Sequence, residues 1–216
     1  GITPSVGFMQ TTRRQVHIPI HMLIRPRPGD FYYSDHEFQI MRNDILAARQ
    51  FGMDGVVLGV LQPDGNVDVE RTRSLVALAH PLPVTFHRAF DATPDLDASL
   101  EDVVRTRASR ILTSGGQPRA TDALPTLARL IEKAKGRILV MPGGGVNSDN
   151  VVRVVETTLA REVHSSAGTS TPDSSANGSN AVRDDVSSGS GMPPAIFEQK
   201  VAKLANLLGS ARTADL

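Results

Sequence analysis

The sequence predicts an α/β fold, a parallel sheet flanked by helices, on three observations. Six short runs rich in β-branched residues alternate with longer segments of helical periodicity. The longer segments carry start and stop signals. Polar side chains gather late in several of the runs. The chain has 216 residues, enough for one sizeable core.

The strand runs are 18–25, 55–60, 83–87, 110–113, 137–141 and 162–164. Between the first two, Ser34 and Glu37 form a capping-box pair. Phe38, Met41, Ile45 and Ala48 then fall on one face, and Gly52 supplies a left-handed stop. Asp68 suits the cap of the next helix. Thr93 followed by Pro94 reads as a cap with proline at the first helical position, before Leu96, Leu100, Val103 and Val104. Leu124, Leu127, Leu130, Ile131 and Ala134 make the next stripe, closed by Gly136, and Ser148 is the expected cap of another helix. Residues 168–193 are rich in Ser, Gly, Asn and Asp and are expected to form a flexible insertion. Prolines 193 and 194 then open a last helix with Ile196, Val201, Leu204, Leu207 and Leu208. The expected organisation is therefore a βα domain over 1–167, an insertion over 168–193 and a packed helix over 194–216.

Right-handed crossovers leave two layouts, a doubly wound open sheet or a closed barrel. The alternation along the strands favours the barrel. Ile20, Met22 and Ile24 share one parity while His21 and Arg25 share the other; Val84 and Phe86 oppose Thr85 and His87. Glu162, His164 and Ser166 repeat the polar parity. Polar groups at strand C-termini suit a barrel mouth, although six runs fall short of the eight strands of a complete barrel.

Composition removes several functions. The 23 basic and 23 acidic residues cancel and no basic run stands out, so neither nucleic acid nor an anionic membrane is an expected partner. The chain has no cysteine, so disulfides and thiolate metal sites within it are excluded. No apolar stretch has the length of a membrane span and no signal-peptide pattern is visible, so a cytoplasmic location is expected.

Three strand ends carry chemistry: "HRAFD" (87–91), "TSGG" (113–116) and "MPGGG" (141–145). Gly143, Gly144 and Gly145, between a strand and a helix, let backbone N–H groups approach an anion; the alternative is only a tight turn. His87 and Asp91 are candidates for proton transfer, with Asp91 orienting the imidazole. In the competing reading Arg88 and Asp91 form an ion pair while His87 fills the mouth. Arg25 ends a buried strand and either faces an anion or pairs with Glu162. Ser114, His164 and Ser166 complete the candidate ligand-binding set, with Arg88 as a neutralising charge. His21, His87 and His164, with Met22 and Met141, are the scattered donors for a soft metal, and no compact ligand motif joins them, so no metal ligand is assigned. The stretch 62–65 reads as a turn and not a calcium loop.

The segments "GITPSVG", "HMLIRPRPGDFYYSDHE", "LPVTFHRAFD", "ILTSGG", "RILVMPGGGV" and "EVHSSA", in this order, resemble the CutC family, named for copper homeostasis. The resemblance covers nearly all of residues 1–167. It implies a TIM-type barrel, here incomplete and N-terminally shortened, with about six of eight βα units. It also implies a cytoplasmic and in eukaryotes sometimes nuclear location, and a homo-oligomer. Copper(I) follows as a cofactor or cargo from the resemblance only. Copper binding proposed for animal relatives relies on cysteines, and Ser165 stands where some relatives have Cys. Three functions therefore compete: copper handling, binding or turnover of a small phosphorylated or carboxylated molecule, and a scaffold for assembly.

Overall fold

A computed structural model describes residues 1–166 and 194–213. The elements, in order, are α1 (Val6–Gln15), β1 (His21–Leu23), α2 (Asp35–Gln50), β2 (Gly55–Leu58), α3 (Val69–Ala79), β3 (Val84–Phe86), α4 (Leu96–Thr106), β4 (Arg110–Thr113), α5 (Leu124–Ala134), β5 (Leu139–Pro142), α6 (Val151–Thr158) and α7 (Pro194–Thr213). All four strand pairings are parallel, and the sheet order is β1-β2-β3-β4-β5.

That order has no reversal point, which removes the doubly wound alternative. With right-handed crossovers every connecting helix falls on the same face of the sheet. Accordingly α2 touches α3, α3 touches α4, α4 touches α5 and α5 touches α6. The winding is that of a TIM-type (β/α) barrel, seen here as an arc of five strands with β1 and β5 at its edges among the described residues.

Strand alternation divides the arc. Met22, Ile24, Val56 and Leu58 meet Met41, Ile45, Ala48 and Leu75 in one part of the core. Phe86, Ile111 and Val140 meet Leu100, Val103 and Leu130 in the next. The other parity (His21, Thr85, Arg110, Leu112, Leu139, Met141) lines the concave face, where most of these side chains are only partly covered.

Several sequence expectations need correction. Among the described residues five strands form, not six. The run 162–164 contributes a single ladder bond, His164 N–H to Pro142 C=O at 2.9 Å, too little pairing for a strand. Helix α4 is capped by Asp95, which accepts from the Asp97 and Ala98 N–H groups; Thr93 instead donates its hydroxyl to Phe90 C=O (2.8 Å) within the preceding 3-10 turn, Arg88–Ala92. Helix α6 starts after Asn150, and Ser148 does not cap it. The capping box of Ser34 and Glu37 and the Asp68 cap form. Helix α1, unmarked by any apolar stripe, is capped by Ser5 and buries only Met9. Leu204, Leu207 and Leu208 of α7 pack on the cluster around Val151 and Val154, whereas Val201 is exposed. The expected insertion 168–193 lies outside the described residues.

Candidate functional site

The concave face brings histidines onto neighbouring strands where glycine makes room. A Cβ at Gly55 would lie 2.5 Å from the His21 ring, and one at Gly59 would lie 2.6 Å from the His87 ring. One at Gly143 would lie 2.4 Å from Leu112 Cδ1 and 3.0 Å from His164 Cβ. Each glycine permits a close approach that any side chain would block.

Asp91 is the hub of the rim, with its side chain 4% exposed. The 3-10 turn aims its carboxylate at the loop after β4. There it accepts from Thr113 Oγ1, from Ser114 N–H (3.0 Å) and from Gly116 N–H (3.0 Å). Arg88 Nε donates to it at 2.9 Å, and Arg88 Nη2 continues to Ser114 Oγ, also at 2.9 Å. "HRAFD" and "TSGG" are thus two halves of one structure, in which Asp91 is an internal anion held by backbone amides. Its hydrogen bonds run to β4 and Arg88, not to His87. The proton-transfer pair expected from the sequence does not form.

His87, 7% exposed, accepts from the Ala89 N–H through Nδ1 at 3.2 Å, which places its own proton on Nε2. The Phe31 ring covers it with centroids 4.9 Å apart, and the Arg25 guanidinium lies over Phe31, 5.0 Å from the ring centroid. Arg25 donates to the carbonyls of Gly1 (3.2 Å) and Gly29 (2.8 Å). Its expected partner Glu162 is taken by Arg110, through Nε at 2.5 Å and Nη2 at 3.2 Å. Arg25 therefore clasps loop carbonyls, next to the Phe31 ring that covers His87.

The glycine bend follows β5. The Gly143 N–H extends the ladder to Thr113 C=O at 2.9 Å. The chain then turns through Gly144 (φ +100°) and Gly145 (φ +69°), conformations open to glycine at little cost. The N–H groups of Gly144, Gly145 and Val146 donate to no atom among the described residues. A Cβ at Gly144 would lie 3.5 Å from Arg88 Cζ and 3.1 Å from Ser114 Cβ, so Arg88, Ser114 and the bend share one corner. Ser165 Oγ donates to Val146 C=O at 2.6 Å, tying the segment after α6 to the bend, and Ser166 beyond it is exposed. His164 joins from the same segment. Its pKa is held below the ordinary histidine value, chiefly by desolvation and then by the Arg88 charge; the residue as a whole stays exposed, so solvent tempers both effects.

At the opposite end of the concave face, His21 is also lowered, by desolvation first and Arg110 second, against the opposing pull of Asp54 and Glu162; it too is exposed as a residue, so solvent tempers the effect. The copper donors considered above do not converge. Among the described residues no three His, Asp or Glu side chains stand close enough to share an ion. Met22 is 3% exposed and points into the helix-facing core, on the other side of the sheet from Met141. This donor set does not fit a copper(I) centre.

Sequence reasoning missed Arg119. It is exposed, yet its stem packs across the bend, with Cγ 3.3 Å from where a Gly145 Cβ would be. The two residues are far apart along the chain, so no local pattern signals the contact.

Comparison with known proteins bears on the fold and the family. The crystal structure of a putative copper homeostasis protein CutC from Streptococcus agalactiae superposes with a TM-score of 0.73 at 34% identity, covering 76% of this chain and 81% of that one. An aldolase, QR15, gives a TM-score of 0.59 at 15% identity over 73% of each chain, a likeness of fold alone. The copper homeostasis protein cutC homolog of Homo sapiens is 50% identical over 167 residues, 77% of this chain. A family protein CutC of Vibrio campbellii is 49% identical over 174 residues, 80% of this chain and 70% of its own length. This chain spans about three fifths of the length of the human and mouse relatives it matches (61% and 62%). The sequence profile of the CutC family matches residues 1–169. The chain belongs to the CutC family.

Proposed function

We propose that the rim at the strand C-termini binds a small phosphorylated or carboxylated molecule, its anionic group seated on the bend after β5. The observation that carries this reading is the run of three N–H groups at Gly144, Gly145 and Val146, which donate to nothing among the described residues. They stand beside a guanidinium, Arg88, already fixed in place by Asp91 and Ser114. Successive amides around a glycine turn form an anion-binding concavity, and a pre-positioned arginine adds fixed N–H donors without further ordering cost.

Within this site each group has a separate task. Asp91 and Ser114 hold Arg88, Arg88 offers the anion a fixed N–H donor, and the bend reads its shape. His164 gains a proton more readily once an anion offsets the Arg88 charge. His87, its Nδ1 engaged by the Ala89 N–H, stands as a covered side chain beneath the rim. Relatives bear the name of copper homeostasis, and the copper link of this chain is read through that process; no step is assigned to copper itself. A cytoplasmic role, with a nuclear pool in eukaryotes, and self-association belong to the same reading, and fractionation and sedimentation test them.

The test is calorimetric titration with inorganic phosphate of the wild type and of Gly145→Val. A β-branched side chain is strained at φ +69° and meets the Arg119 stem, while the Asp91 hub is untouched. Phosphate affinity should fall about tenfold or more in the folded variant, as expected for loss of charged hydrogen bonds. Unchanged affinity in that variant, or no uptake by the wild type, contradicts the proposal.

A further inference from the structure

We infer that Arg119 is a second cationic arm of this site, and that the ligand it selects is a phosphate monoester dianion in preference to a carboxylate. This rests on the anion reading above. The stem of Arg119 lies across Gly145, with Cγ at 3.3 Å and Cβ and Cδ at 3.6 Å from the position a Cβ would take. Arg88 Cζ stands 3.5 Å from the corresponding position on Gly144. Two guanidinium-bearing side chains therefore flank two consecutive glycines whose N–H groups donate to nothing among the described residues.

The charges of the two arms differ. Arg88 is offset by Asp91 at 2.9 Å, so the pair contributes little net charge to a ligand. Among the described residues Arg119 makes no ion pair and its guanidinium makes no hydrogen bond, while the loop that carries it is tethered to the bend by Ala120 N–H donating to Gly144 C=O at 2.9 Å. The loop is held against the bend, yet the guanidinium stays uncommitted. It supplies the charge that Asp91 removes from the first arm.

Shape points the same way. A carboxylate has two oxygens in one plane and is satisfied by one forked arginine or by adjacent amides. A phosphate has three terminal oxygens in a tetrahedral array. It can face the amides of the bend, the Arg88 edge and Arg119 at once, with two negative charges to set against them.

Calorimetry with inorganic phosphate and with acetate as probes, at a pH where phosphate is dianionic, on wild type, Arg119→Gln and Arg119→Lys tests this. Arg119 is exposed, so the variants should fold, and circular dichroism checks that they do. The expected result is about tenfold weaker phosphate binding in Arg119→Gln, partial recovery in Arg119→Lys, and acetate affinity unchanged within about twofold. Equal phosphate affinity in wild type and Arg119→Gln overturns the role of Arg119 while leaving the anion site standing. Equal losses for phosphate and acetate overturn the selectivity. Failure of the wild type to bind either probe overturns the site and this inference together.

Discussion

Asp91 stands four residues after His87, a spacing that suits a carboxylate steadying an imidazole, but its hydrogen bonds go to Thr113, Ser114, Gly116 and Arg88. Its partners lie on another strand, and nothing local in "HRAFD" announces them. Truncating it leaves Arg88 and two loop amides without their acceptor in a largely buried place. Asp91→Ala should therefore cost about 3–5 kcal/mol in urea unfolding, with Asp91→Asn milder. A loss of ligand turnover without a loss of stability would restore the catalytic reading. His164 and His21 make the pH prediction. Both are depressed below the ordinary value of 6.5 by burial and neighbouring arginines. The unfolded chain then binds more protons than the folded one, so this stability is present above about pH 6.5 and is lost as pH falls through the folded values. The urea midpoint should drop between about pH 7.5 and about pH 5, and the double variant His21→Gln/His164→Gln should flatten that slope. A midpoint equally pH-dependent in the double variant would contradict it.

At the scale of elements, legibility followed the range of the interactions. The capping box of Ser34 and Glu37 is a contact three residues long, and it formed as the pattern says. Thr93 and Asp95 compete as caps within three residues. The 3-10 turn decides between them by engaging Thr93 Oγ1 with Phe90 C=O, which leaves Asp95 to cap α4. Asp95→Ala should therefore lower stability by about 1 kcal/mol through loss of the cap. If the Thr93→Ala loss were instead traced to frayed α4 amides by hydrogen exchange, with Asp95→Ala silent, the assignment would fail. The run 162–164 has strand-like residues, but strand character needs a ladder, and only one bond is made there. Helix α1 was illegible for the opposite reason. Ser5 caps it well, yet it buries a single residue, Met9, so the apolar periodicity that reveals helices is missing.

For the whole molecule, the alternation of strand and helix showed the class, and the parity of His21, Arg25, Thr85 and His87 showed which face would be polar. Strand order was beyond the sequence, because both layouts share the same local pattern; the absence of a reversal point settles it. The open arc has a consequence for assembly. Ile18, Phe8 and Ile2 are exposed at 71%, 65% and 54%, around the β1 side of the sheet. Exposed apolar side chains beside an edge strand favour self-association, and sedimentation should show a species larger than one chain that grows with concentration. A stable monomer across that range would count against it.

Backbone 15N NMR with inorganic phosphate added stepwise probes the anion-binding bend most directly. The amide resonances of Gly144, Gly145 and Val146 should move together along one saturating curve, with the His164 ring titrating at higher pH in the bound state. If those three amides stay still while phosphate reaches saturation elsewhere, or nowhere, the bend is only a turn.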